Sequence, residues 1–600
     1  MVSRNTIALA LVTGLLIFAS TAALYQRHSD IVVDIENAYE GGMVSEFHNR
    51  ERLGDQFFRW TKDVSYLDFR NLPTTGELAV EARLRVRRPH GEPLPNLAFT
   101  ANGATVHNTR GLPGTVSYRF EFPADRSHLR LGIRSDTFDP NGERRLGVQV
   151  LGVTVRLPDA PLSWAAPSAV MGGAAVLLFA TALVALGAGG ASLPSAGVAL
   201  LVSGGFVYLL AQHAVRFSLY PWQVAALSAL TLVVALVARR LQRDPRRSVT
   251  SAIAIVFVLE MAVAFYPLTV SSDAHFQANR MRHFLEGDWH PESVTQHDPP
   301  FRIPYPVSLY VVSAPLVGLG LERATALTAT TSAFDVLVSI LLIVLAWRFL
   351  DDVRGGVLAA VLYQLSPMNA LSFSAGNFTN LFAVAMLTLA FTFLLTRPIA
   401  CALFTTLALT AHFGMLLEGV ILWPVWLAVL WLGPTPVKDD RKRLTIALAV
   451  SFVIVGVYYL GYAELVTDQW GRALTEGSSG GAGGTGGWRA TGSQLGWVFL
   501  AVAALGSLSL VQSRQATTFR SAALVWLGVS ILFLGIDLVS AFEIRYALQA
   551  LPLLALLGGC YLSSALDRGR VGIAAAWAAI LYIGVMGVRT LHDVALVRYH

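Results

Sequence analysis

Runs of 17 to 25 mostly apolar residues recur along most of this 600-residue chain, the length an α-helix needs to cross roughly 30 Å of hydrocarbon. Lipid offers no partners to open backbone groups, so such runs are read as helices. With 54% hydrophobic and 14% charged residues, the chain is too apolar for a soluble protein of its size. Expected spans are 163–187, 195–214, 221–239, 249–268, 325–349, 355–371, 377–395, 398–413, 415–432, 443–462, 494–511, 519–538, 545–564 and 570–588. An apolar run from Thr6 to Ala23 behind Arg4 is a further anchor or a signal segment.

One long region, from about Tyr25 to Asp159, is polar and reads as β. Leu78, Val80, Ala82, Leu84 and Val86 alternate with polar residues, as do Val116, Tyr118, Phe120 and Phe122. Further strands are expected at 128–134 and 146–157, with Asn102-Gly103 and Asn141-Gly142 supplying turns. The fold class is therefore a multi-span α-helical membrane protein with an N-terminal extracytoplasmic β-sandwich, jelly-roll-like. The domains are expected at 1–24 (anchor or signal), 25–160 (sandwich), 161–248 (three additional spans) and 249–600 (the main membrane domain, with an outer loop at 269–324). Cys401 and Cys560 both sit in apolar runs, so they provide no disulfide framework.

The net charge of +6 comes from basic residues scattered at helix ends, which set topology and contact headgroups and leave no patch for nucleic acid. The densest basic loops, Arg239 to Arg247 and Lys438 to Arg443, belong on the cytoplasmic side. That places Asp273 on the outer side, provided that the apolar piece Tyr305 to Leu321 lies along the interface and does not cross. Residues 272–287 are amphipathic as well: Ala274, Ala278, Met281 and Leu285 form one stripe, and His275, Asn279, Arg282 and Glu286 another. The outer loop thus carries two interfacial helices.

Within 269–310 the chain gathers Asp273, His275, Arg280, Arg282, His283, Glu286, Asp288, His290, Glu292, His297, Asp298 and Arg302. Ionisable groups beside a membrane helix end are expensive to keep, so function is sought there first. The histidines lack HExxH or CxxC spacing, and no metal site is assigned. Ser271, Ser272 and Asp273 are also good helix N-caps, with Gly287 a natural stop. Glu260, inside an expected span, must face protein or a watery cavity; Asp335, His412, Glu418 and Asp537 are further intramembrane cases that serve equally well as helix-to-helix hydrogen-bonders. Trp60, Trp289 and Trp488 suit sugar stacking as well as a core or interface. The Gly-rich stretch Gly477 to Gly487 lacks the Gly-Lys-Ser/Thr ending of a phosphate loop and reads as a flexible external segment.

Ser272-Asp273-Ala274-His275-Phe276, Gly287-Asp288, Ile303-Pro304-Tyr305-Pro306 leading to Leu309-Tyr310, and Arg545-Tyr546 with Pro552 resemble the GT-C superfamily of integral membrane glycosyltransferases over roughly residues 250–590. The resemblance implies transfer of a sugar from a polyprenyl-phosphate donor to a glycan, lipid or protein acceptor, with Asp273 as base. By expected depth and side, Arg302 and Arg545 are the first candidates for the donor phosphate, with Arg280, Arg282 and Arg489 behind them. His275, His297, Asp298 and Glu260 are expected around the substrate. A lone Asp stands where many members pair Asp with Glu, so no cofactor is assigned and a divalent cation at the phosphate stays open. Phe58-Arg59-Trp60-Thr61 and Thr137-Phe138-Asp139-Pro140 look like the accessory domains found before bacterial glycosyltransferases of this type, implying a glycan or acceptor handled outside; the expected location is the bacterial inner membrane. The alternative is a membrane transporter or lipid flippase working through Glu260, Asp335 and Asp537.

Overall fold

The structure, a computed structural model, describes most residues from 30 to 156 and from 272 to 591, with 14–19 and a few isolated positions besides. The expected spans within 163–268, with Glu260 and the first basic loop, lie outside the described residues. The chain divides into two compact units, one mainly Met1–Arg247 and the other mainly Ser248–Val594.

The first unit is an antiparallel sheet of nine strands: β1 (Asp30–Asp34), β2 (Val44–Leu53), β3 (Gln56–Arg70), β4 (Glu77–Val86), β5 (Asn96–Ala101), β6 (Ala104–Arg110), β7 (Gly114–Pro123), β8 (His128–Ser135) and β9 (Gln149–Arg156). Their order is β6-β5-β8-β3-β9-β4-β7, with β1 on β9 and β2 on β3. The 15-residue β3 makes a sandwich of this single sheet. Its first half, at Arg59 and Trp60, pairs with β9, and its second half, Val64 to Arg70, pairs with β8. Two half-sheets thereby face each other, and Leu67, Phe69, Leu78, Val80, Leu84, Phe99, Phe120, Leu131 and Val153 share one core.

The alternation in β4 and β7 is the one expected, with Leu78 to Val86 and Tyr118 to Phe122 turned inward. Asn102 (φ 51°) and Gly103 (φ 91°) close the β5–β6 hairpin with the two left-handed residues a type I′ turn requires. Asn141-Gly142 lies outside the described residues. Trp60 is not available for sugar: it is buried in a small second cluster, edge-on to Phe58 and Phe138.

On the outer surface of the sheet, Glu81 holds Arg119 through both carboxyl oxygens (3.2 and 3.1 Å) and meets Arg156 at 3.6 Å. The Arg119 hydrogen bond holds the Glu81 carboxyl below its ordinary value, so folding favours the ionised form. That stabilisation is present above the ordinary carboxylate range and is lost as pH falls through the lowered value. Glu81→Gln should cost less than about 1 kcal/mol near neutrality, the pair being partly solvated. In melts of the full-length protein, the gap between wild type and variant should close as pH drops below about 4.

The second unit is helical. It begins with α1 (Ser272–Leu285), a ribbon of β10 (Glu292–Val294) and β11 (Arg302–Pro304), and α2 (Ser308–Gly318). Then come α3 (Arg323–Leu350), α4 (Val353–Gln364), α5 (Pro367–Ser374), α6 (Phe378–Phe393), α7 (Pro398–Leu409), α8 (Phe413–Leu432), α9 (Lys438–Leu460), α10 (Trp497–Gln512), α11 (Thr518–Ser540), α12 (Ala547–Leu566) and α13 (Gly569–Leu591). The helices from α3 onward fall on the expected apolar runs with small shifts at their ends, except that the single span expected at 355–371 is broken into α4 and α5. Among the described residues, five helices are long and apolar enough to cross a membrane, and α4 and α5, which meet at a 51° bend, together have the length and apolarity of a sixth span or of a re-entrant loop. Proline explains the bend: Pro367 has no N–H to continue the ladder, and Ser366 N bonds the Tyr363 carbonyl at 3.3 Å in a tighter turn. The central helix is α12, 83% buried over its apolar window, whereas α13 is peripheral at 11%.

Helix α2 has 11 residues, hence about 16 Å of length, half of what a crossing requires. The expected interfacial stretch is thus helical but too short to span. Its start is pinned by Ser308, whose N–H reaches the Thr410 carbonyl (3.1 Å) and whose hydroxyl reaches the Leu407 carbonyl (2.9 Å). The end of α7 meets α2, and the end of α9 meets the ribbon segment.

Candidate functional site

Helix α1 carries the candidate base, Asp273, in its first turn, where the helix dipole favours an anion. It ends as its sequence dictates. Gly287 takes φ +103°, Gly287 N bonds the Phe284 carbonyl (3.0 Å) and Asp288 N bonds the His283 carbonyl (3.0 Å), the paired bonds of a Schellman stop. The buried stripe is Ala274, Gln277, Ala278, Met281 and Phe284. Leu285, expected inside, is exposed, because at 3.6 residues per turn Phe284 takes the core position and packs on Trp289 and Tyr310.

Spacing sorts the arginines of α1. Arg280 follows Asp273 by seven residues, two turns, and so shares its face, with its guanidinium 4.9 Å from the Phe276 ring centroid. Arg282 follows by nine residues, which turns it to the opposite side, where it faces Glu286 at 3.8 Å beside His283. Of these two arginines, Arg280 is the one on the Asp273 face. Behind that face the buried hydroxyl of Tyr310 donates to Gln277 Oε1 at 2.6 Å, while Gln277 Nε2 donates to the Tyr305 hydroxyl at 2.5 Å. Gln277 therefore ties α1 to both ends of the segment 305–310.

Arg302 stands on β11, 65% exposed and ion-paired with Glu292 across the ribbon. His297, Asp298, Arg489 and Arg545 lie outside the described residues, as does the side chain of His275. No group of three or more His, Cys, Asp or Glu side chains suited to a metal occurs among the described residues.

Sequence reasoning named Tyr305 and Tyr310 without a role and missed Gln277, though Gln277 sits one turn after Asp273 and that spacing marks it as a neighbour. It also left the intramembrane acids undivided. Asp335 is indeed a helix-to-helix hydrogen-bonder: it accepts from Tyr363 Oη (2.5 Å), Gln364 Nε2 (2.9 Å) and Asn369 Nδ2 (3.0 Å). Glu418 is not, since it is buried with neither carboxyl oxygen hydrogen-bonded among the described residues.

Fold and composition together define the class, a multi-span helical membrane protein carrying an N-terminal antiparallel β domain. No protein-family model matches the chain, and no curated protein does. Among solved structures, it is similar to the crystal structure of ArnT from Cupriavidus metallidurans bound to undecaprenyl phosphate, at 16% identity over 58% of this chain and 75% of that chain, with a TM-score of 0.36. It is also similar to a family 35 carbohydrate binding module from Clostridium thermocellum, at 12% identity over 21% of this chain and 98% of that one, with a TM-score of 0.17.

Proposed function

We propose that this chain is a membrane glycosyltransferase of the GT-C kind, moving a sugar from a polyprenyl-phosphate donor to an extracytoplasmic acceptor with inversion at the anomeric carbon. The observation that carries the reading is the pairing of Asp273 and Arg280 on one face of α1, two turns or about 10 Å apart along the axis. In-line displacement needs a base at one end, a cation at the other, and room for hydroxyl, anomeric carbon and phosphate between them.

Asp273 takes the proton of the acceptor hydroxyl as its oxygen bonds the anomeric carbon. The bond from that carbon to the phosphate oxygen breaks, and polyprenyl phosphate departs. Phosphate is a good leaving group and requires no acid; it requires positive charge, supplied by Arg280 and by Arg302 on the ribbon. A divalent cation would supply the same help at the phosphate. In this reading the β domain lies outside a bacterial inner membrane, behind an N-terminal anchor or signal.

Asp273→Asn, assayed in membranes that retain folded protein, should lower transfer about 10²- to 10⁴-fold. Wild-type turnover by that variant would end the base assignment.

A second reading, a transporter or flippase, is favoured by one observation: the broken pair α4 and α5 holds the buried Asp335 at its bend, as interrupted helices do at transport sites. Movement of labelled polyprenyl phosphate across vesicles containing the protein, without sugar transfer, would select it.

A further inference from the structure

The ribbon β10–β11 has two strands of three residues each, too little pairing to stand alone in water. What holds it is the end of α9. The single hydroxyl of Tyr458 serves both ends of the ribbon segment, accepting from Val307 N (3.2 Å) and donating to the Trp289 carbonyl (3.1 Å). Tyr462 Oη donates to the Pro291 carbonyl (3.3 Å), which also accepts from Tyr305 N (3.0 Å) at the base of the ribbon.

His290 fills the space between these tyrosines. Its Nε2 faces the Tyr458 carbonyl at 3.1 Å and so carries the proton. Its ring stacks on Tyr458 and meets Tyr462 edge-on, both at 5.1 Å. Gly461 admits that ring, for a Cβ there would stand 2.6 Å from imidazole Cε1. One helical turn of α9 and the residues just past it thus satisfy the backbone at 289, 291 and 307 together, closing the loop whose ordering would otherwise cost entropy.

We propose that Tyr458, Gly461, Tyr462 and His290 form a clasp that positions Arg302 for the phosphate of a polyprenyl monophosphate. The inference rests on the reading of Arg302 as a donor-phosphate ligand. The clasp residues are positioning residues and do not touch the phosphate. Arg302 keeps guanidinium N–H groups beyond those facing Glu292, since a guanidinium offers five donors. How well it captures a phosphate then depends on how narrowly the ribbon is held.

The test uses full-length protein in lipid nanodiscs with a polyprenyl monophosphate as probe. Tyr458→Phe removes one oxygen, and Gly461→Ala expels the His290 ring. Both should speed hydrogen exchange at Val307 and across 288–294 at least about tenfold, leave α3 and α6 unchanged, and weaken probe binding about tenfold. Because the clasp acts through Arg302, Tyr458→Phe combined with Arg302→Gln should bind no worse than Arg302→Gln alone. If Tyr458→Phe does not fold, Tyr462→Phe replaces it with the same expectations.

Unchanged exchange, faster exchange with unchanged affinity, additive losses in the double variant, or a wild type that does not bind the probe would each overturn the clasp. Binding lost on unclasping in a protein that transfers no sugar would instead sink the glycosyltransferase reading and leave the clasp standing.

Discussion

Replacing Asp335 with alanine is expected to lower the stability of the helical unit by about 2 to 4 kcal/mol, seen as a large drop in Tm for the detergent-solubilised protein. The carboxylate is fully buried on α3 and is the acceptor for Tyr363, Gln364 and Asn369. Tyr363 and Gln364 end α4, whereas Asn369 belongs to α5, so one side chain fastens both sides of the 51° bend. Alanine would remove the acceptor these three donors share, a lost bond to a buried group costing about 1 to 3 kcal/mol before relaxation; Gln364 Nε2 keeps Ser339 Oγ (3.2 Å) and Asn369 Nδ2 keeps Gln364 Oε1 (3.4 Å), and membrane helices recover part of such losses by finding other partners. Asp335→Asn is the sharper variant. It keeps the volume and one acceptor oxygen but turns a donor group toward other donors, so it should fall between wild type and alanine. An alanine variant melting with wild type would show that proline alone sets the bend.

Gly559→Leu should be at least as damaging and should reduce the yield of folded protein, because it separates α12 from α4. A Cβ at Gly559 would stand 2.5 Å from the Gly355 carbonyl oxygen and 2.7 Å from Ala359 Cα. Both are backbone atoms, so no rotamer change relieves the clash and the helices must move apart. Small residues permit that approach, which is how packing holds helices together where lipid removes the hydrophobic drive between them. With α12 at the centre of the bundle, the loss should exceed the roughly 1 to 3 kcal/mol of ordinary overpacking. Gly528→Leu is the control: nothing lies within 4 Å of a Cβ there, so its Tm should stay near that of wild type. Equal behaviour of the two leucine variants would remove α12 from its central role.

The helical segments were legible because hydrophobicity over a membrane-spanning length is a one-dimensional property, and so were β4, β7 and the Asn102-Gly103 turn, where alternation and φ preference act over a few residues. The first half of β3 was harder to read. Trp60 suited sugar stacking as well as a core, and it is contact with Phe58, Phe138, Leu146 and Leu151, three of them far along the chain, that decides for the core. The candidate site divides in the same way. The placement of Asp273 in the first turn of α1 and the Gly287 stop follow from local chemistry, and helical periodicity alone separates Arg280 from Arg282. The grip of Tyr458 and Tyr462 on residues 289, 291 and 307 was invisible, since about 150 residues intervene and no local preference links them.

Taken alone, the sequence determined that this chain lives in lipid, which of its segments between residues 323 and 591 are helices, that its polar region is β, and where its ionisable groups concentrate. Each of these is set by the solvent a segment meets and by torsions within a few residues. Tertiary structure decided which side chains meet: that Asp335 holds a broken helix, that Glu418 is buried without a hydrogen-bonded partner among the described residues, that Gly559 lets two backbones touch, and that α9 secures the ribbon bearing Arg302. Contacts between residues far apart in the chain depend on how every intervening element packs, and no short window of sequence contains that.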